Sequence, residues 1–227
     1  MSVPPPSLTR AALGAALDGQ VPPAGARVGL FGGSFNPAHA GHRQISEEAL
    51  RRLGLDRVWW LVSPQNPLKP AKGMAPLAER MASARHMASG NRRILVTALE
   101  GELGSAYTAD TLKTLTRLLP RVRFVWLMGA DNLIQVHHWQ DWPQIFNSLP
   151  VAVFDRPTYS LGALSGKAAR AFARYRLKER SARCLVEARP PAWVFIRCRL
   201  NSQSATEIRA RQPVQETAAG RRAQGNN

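Results

Sequence analysis

The stretch Arg27-Val28-Gly29-Leu30-Phe31-Gly32-Gly33-Ser34-Phe35-Asn36-Pro37-Ala38-His39-Ala40-Gly41-His42 joins a short apolar run to a turn rich in glycine, proline and histidine. A helical pattern begins directly after it: from Arg43 to Leu53, the residues Ile45, Ala49, Leu50 and Leu53 share one face, and Gly54 stands just past the end as a stop. Strand, turn and helix in that order open an α/β sheet. Ligands in such sheets bind beyond the carboxyl ends of the strands, where a helix N-terminus offers N–H groups and the positive end of its dipole to phosphate. Gly32 and Gly33 would let backbone approach a nucleotide closely, and His39 and His42 would both reach one anion at the helix start. Plainer readings exist beside this one. A Gly-Gly after a strand also makes a tight turn, and His-x-x-His also occurs in metal sites, although no Cys, Asp or Glu follows before Glu47 to complete a ligand set.

Outward from this stretch, short apolar runs alternate with helical patterns. Strands are expected at Arg27–Phe31, Arg57–Val62, Ile94–Ala98, Arg123–Met128, Val151–Phe154 and Trp193–Arg197, and helices at Arg43–Leu53, Pro76–Ala88, Ala109–Leu119 and Lys167–Ala182. The alternation predicts an α/β fold, a Rossmann-like doubly wound parallel sheet with helices on both faces. The connection Ser63–Ala75 carries Pro64, Pro67 and Pro70, so it is expected to be extended and stiff, a suitable carrier of binding groups.

At 227 residues with 44% hydrophobic side chains, the chain can bury a single sizeable core without staples. We expect one domain at 27–212, a mobile N-terminal extension at 1–26 with one weak helix at Leu8–Leu17, and a frayed tail at 213–227. Cys184 and Cys198 are the only cysteines, which excludes a disulfide framework and suits a reducing, cytoplasmic setting. No apolar run approaches the roughly 20 residues needed to span a bilayer. The net charge of +16 predicts attraction to anions, and from Lys167 onward 14 Lys or Arg face 4 Asp or Glu. A solvated basic face explains that excess, and so does a nucleic-acid surface, which no recognised motif supports.

Further candidates lie at strand ends and helix starts. Ser204 with Glu207 forms a capping-box pattern, so a helix start there would present N–H groups, and Arg209 would add a fork of donors suited to phosphate. Thr108 precedes the helix expected at Ala109 and would place a backbone N–H before a carboxylate, or serve as an ordinary N-cap. Asp131, just past a strand, could accept hydrogen bonds from ribose hydroxyls. Trp139 could stack on a flat ring or simply pack in the core, and Lys69 could hold a phosphate or lie exposed.

Gly32–His42 resembles the G-[ST]-F-[DN]-P-x-H-x-G-H signature of the nucleotidyltransferase superfamily, and Ser204-Ala205-Thr206-Glu207-Ile208-Arg209 resembles its I-S-S-T-x-I-R motif, with Gln203 and Ala205 departing from the commonest letters. Four further segments are similar to the bacterial nicotinate-nucleotide adenylyltransferase family: Asn66-Pro67-Leu68-Lys69, Tyr107-Thr108-Ala109-Asp110-Thr111-Leu112, Gly129-Ala130-Asp131-Asn132-Leu133, and His138-Trp139. The resemblance spans roughly Arg27 to Arg211. It implies adenylyl transfer from ATP to nicotinate mononucleotide, with His39, His42 and Arg209 acting on the phosphates. ATP would be bound by Gly32, Gly33, Ser34, Phe35, His39, His42, Gly129, Asp131, Ser204, Thr206 and Arg209, and the acceptor by Asn36, Lys69, Thr108 and Trp139. Mg2+ would come with the ATP phosphates rather than in a metal site of the protein. Asn36 stands where many relatives have Asp. An adenylyltransferase acting on nicotinamide mononucleotide or phosphopantetheine is the alternative enzyme, and a basic nucleic-acid-binding module the alternative outside enzymes.

Overall fold

The computed structural model describes residues 10–64, 73–104, 107–155 and 159–198. Among these residues seven strands form one sheet in the order β3-β2-β1-β4-β5-β7-β6, and every pairing is parallel. They are β1 (Arg27–Gly33), β2 (Arg57–Val62), β3 (Ile94–Thr97), β4 (Arg123–Gly129), β5 (Val151–Phe154), β6 (Arg176–Leu177) and β7 (Trp193–Ile196). The helices are α1 (Arg10–Ala16), α2 (Ala40–Arg52), α3 (Leu77–Ala88), α4 (Leu99–Glu102), α5 (Thr108–Leu118), α6 (Ala130–Gln135), α7 (Trp142–Ser148), α8 (Ser160–Ser165) and α9 (Lys167–Ala171).

A parallel sheet covered on both faces needs strands that are apolar at every position, and β2 shows it: Trp59 enters the core on one face and Trp60 the core on the other. On the first face Leu30, Trp59 and Trp126 pack with Leu13 and Leu17 and with residues of α5, α6 and α7. On the second, Phe31, Trp60, Val125 and Leu127 pack with α2, α3 and the 3-10 segment Glu179–Glu187. Helices thus cover both faces, as the alternation in the sequence implied.

Four local differences from the sequence reading have physical causes. β1 runs two residues further than expected, because Gly32 and Gly33 keep register with Leu61 and Val62. α2 begins at Ala40 rather than Arg43, since His39 caps it. The single helix expected at Lys167–Ala182 is broken after Ala171. There Phe172 stacks on Phe146 at 4.5 Å, and its carbonyl accepts the Trp193 indole N–H at 2.8 Å. The chain then turns out to add β6 to the sheet edge, with the Arg176 guanidinium over Trp193. Finally, the expected mobile extension is packed from residue 13 to residue 17 at least: Leu13 and Leu17 are fully buried, and the Ala16 carbonyl accepts from Thr97 Oγ1 at 2.8 Å.

Candidate active site

β1 pairs with β2 on one side and β4 on the other, so the chain leaves the sheet there in opposite directions. After β1 it passes to α2, whose Ile45, Ala49 and Leu50 pack on the second face; after β4 it passes to α6, whose Ala130 and Leu133 pack on the first. A crevice at the carboxyl ends of these strands follows from that reversal, the usual ligand position in open α/β sheets. Phe31 is in register with Leu127, which sets Gly33 level with Gly129. The turn Ser34–His39 and the start of α6, with Asp131 in its first turn, therefore border one crevice.

The start of α2 is an imidazole capping box. His39 is the N-cap, and its Nδ1 accepts the Gly41 N–H at 3.2 Å, while His42 Nδ1 accepts the His39 N–H at 3.2 Å. An Nδ1 that accepts carries no proton, so both rings are assigned the tautomer with the proton on Nε2. Two N–H groups that a helix start ordinarily leaves unsatisfied are met by the rings themselves. His39 is almost wholly buried, at 2% exposure, and its ring centre lies 3.8 Å from that of His42.

The turn that carries these rings is anchored from below. Phe35 has a left-handed backbone, φ +47°, which costs a non-glycine residue about 1 kcal/mol or more. Its ring offsets this by full burial, stacked on Trp60 at 5.0 Å and against His42 at 4.7 Å. Phe35 is therefore a packing residue that anchors the turn. Trp60 Nε1 donates to Ser46 Oγ at 2.7 Å, and Ser46 Oγ donates to the His42 carbonyl at 2.9 Å, fixing the first turn of α2 on β2. At Gly32 a Cβ would meet Trp126 Cη2 at 2.4 Å, so the indole demands glycine there. At Gly33 the nearest atom would be Phe35 Cε2 at 3.4 Å, ordinary contact.

Arg80, which the sequence reading did not single out, is 2% exposed. Its Nη1 donates to the carbonyls of Ser34 and Ser63, its Nη2 to that of Pro64, each at 2.8 Å, and its Nε to that of Ala75 at 2.9 Å. Among the described residues no carboxylate pairs with it, and burial pulls its pKa below the ordinary arginine value. One signal was present: Arg80 lies on the stripe of α3 that carries Ala84 and Ala88, where an apolar residue belongs. Asn36 works beside it. Its Nδ2 donates to the Gly73 carbonyl at 2.9 Å, and its Oδ1 accepts the Ala75 N–H at 3.2 Å.

The remaining candidates are divided. Thr108 is the first residue of α5 with Tyr107 as its N-cap, so the helix starts one residue early and Thr108 contributes a backbone N–H of the first turn rather than a side-chain cap. Trp139 follows the 3-10 turn Val136–His138 and packs, half-buried, against the same core face as Ala109 and Leu112 of α5. Lys69, Ser204, Thr206 and Arg209 lie outside the described residues. Glu100 in α4 is buried, and loss of solvation pushes its carboxyl up to about 7. Among the described residues no group of three or more His, Cys, Asp or Glu could hold a metal ion, and no helix is long and apolar enough to cross a membrane.

With a parallel sheet of this order and imidazoles capping the helix that follows β1, the chain matches the cytidylyltransferase-like family model over residues 30–211, which places it among the nucleotidyltransferases. A protein of Methylorubrum extorquens strain PA1 named "probable nicotinate-nucleotide adenylyltransferase" is 53% identical over 185 residues, 82% of this chain and 100% of its own. One of the same name from Ruegeria pomeroyi is 52% identical over 183 residues, 81% of this chain and 85% of its own. The chain belongs to the nicotinate-nucleotide adenylyltransferase family within that larger group. Its fold is shared by the Plasmodium falciparum nicotinic acid mononucleotide adenylyltransferase solved with NaAD, at TM-score 0.62 and 16% identity over 82% of this chain and 83% of that one.

Proposed function

We propose that the protein transfers the adenylyl group of ATP to nicotinate mononucleotide, giving nicotinate adenine dinucleotide and pyrophosphate. The observation that carries this reading is the imidazole capping box at the crevice between β1 and β4, set in a chain 53% identical to relatives of that name. A phosphate oxygen of the mononucleotide attacks the α-phosphorus of ATP, and the bond from that phosphorus to the β-phosphate bridging oxygen breaks. The nucleophile is already an anion, so neither a general base nor a covalent intermediate is needed; alignment and charge stabilisation are the protein's work. His39 and His42 act as Nε2–H donors to the transferring and leaving phosphates, anchored through Nδ1 by the backbone of α2. Because this proton placement is set by the fold, the donors need not reorganise as charge develops.

Magnesium enters with ATP as part of the substrate and neutralises phosphate charge. Ser34, Gly129 and Asp131 border the nucleotide side of the crevice, and the resemblance assigns Ser204, Thr206 and Arg209 to the triphosphate. On the acceptor side, the first-turn N–H of Thr108 is suited to the nicotinate carboxylate, the Trp139 indole to the pyridine ring and Lys69 to the phosphate. The test is pyrophosphate release from magnesium-ATP with nicotinate mononucleotide, nicotinamide mononucleotide and phosphopantetheine in parallel. Strong preference for the first is expected; release only with another acceptor overturns the acceptor assignment, and release with none overturns the reaction.

A further inference from the structure

We infer that Arg80 and Asn36 are positioning residues: a two-part clamp that sets the spacing between the phosphate-binding turn and the segment after β2, and thereby tunes acceptor binding. Arg80 uses three of its nitrogens to gather carbonyls from three separate places, Ser34 in the turn, Ser63 and Pro64 at the exit of β2, and Ala75 just before α3. Asn36 grips the last of these places from the turn itself, donating to Gly73 and accepting from Ala75. Residues 63–64 and 73–75 are the two flanks of the proline-rich connection, so both are pinned to the turn that leads into His39.

The chemistry of both side chains is specific to this task. Only a guanidinium offers a planar fork of donors that can reach four carbonyls at once; a lysine ammonium has three donors at a single point. An asparagine both donates and accepts, whereas an aspartate would face the Gly73 carbonyl with a lone pair. The contact with the Gly73 carbonyl therefore calls for the amide of Asn36, which holds the turn from its own side.

This inference rests on the acceptor reading above, and the experiment separates the two. Arg80→Lys, Asn36→Asp and the double variant are assayed beside the wild-type protein for KM and kcat with each substrate. Amide hydrogen exchange is followed in parallel over residues 34–36 and 73–75. Each single variant is expected to raise KM for nicotinate mononucleotide about tenfold while KM for ATP moves less than about threefold. The double variant should lose little beyond the worse single, because both act on one contact set. Exchange should accelerate in the two peptides together. Unaltered exchange, equal changes in both KM values, a fall in kcat alone, or full additivity would each overturn the clamp. A wild-type protein inactive with nicotinate mononucleotide would instead overturn the acceptor reading, leaving the exchange result to decide the clamp. Asn36→Asp removes one hydrogen bond at a half-buried site, so it reports even where Arg80→Lys fails to fold.

Discussion

The ring of His39 is used at two ends: Nδ1 completes the start of α2, and Nε2 is left with the proton that the proposed reaction would use on phosphate. The two roles separate by substitution. Asparagine is among the strongest N-caps, and its short amide can reproduce the Nδ1 contact but cannot reach as far as Nε2. His39→Asn should therefore melt close to the wild-type temperature and lose about 100-fold or more in kcat. His39→Ala should lose the same activity and about 1 kcal/mol of stability as well. Thermal melting and steady-state turnover on the two proteins check this; near wild-type turnover in His39→Asn would remove the ring from the phosphate chemistry. The types and spacing of these residues were legible in the sequence, whereas the tautomer was not, because it depends on where two backbone N–H groups point.

At the scale of elements, α4 is a single turn that buries Glu100 directly after β3. Its carboxyl is raised to about 7 by desolvation, above its ordinary value of 4.5, so the folded state binds the proton more tightly than the unfolded chain. Stability from this group is complete below about pH 4.5 and falls as pH rises towards 7. Glu100→Gln abolishes the dependence. The variant should gain stability relative to wild type between pH 5 and pH 8, by about 1–3 kcal/mol in denaturant melts. A constant difference across that range would show that Glu100 is charged throughout. Short elements of this kind leave no periodic trace: α4, α6 and α8 span 4, 6 and 6 residues, too few turns for a hydrophobic face to repeat. β2 and β5 were expected at the bounds they have, since burial on both faces makes each a continuous apolar run.

For the molecule as a whole, α1 closes the first face of the sheet. Leu13 and Leu17 sit beside Trp59 in one continuous core, although the surrounding Pro- and Gly-rich sequence suggested a loose extension. Leu13→Ala should cost about 2–5 kcal/mol, the range for a leucine removed from a packed core, measured by urea unfolding with activity retained in the folded fraction. A loss below about 0.5 kcal/mol, as on a surface, would return α1 to the extension. Part of the seat for α1 is Thr97 and α4, more than 80 positions away, which no local pattern around Leu13 could announce.

By itself the sequence determined the parallel α/β architecture, the place of the phosphate turn between a strand and a helix, and the family. Each of these is written in short-range pattern: apolar runs, a glycine pair, two histidines at a helix start. Only the tertiary structure decided that Gly32 yields to the Trp126 ring, that Phe35 is an anchor, and that Asn36 and a buried arginine tie the turn to both flanks of the proline-rich connection. An arginine on a helix is ordinarily solvated, and what buries Arg80 is four carbonyl oxygens that the chain brings together only when the sheet has closed.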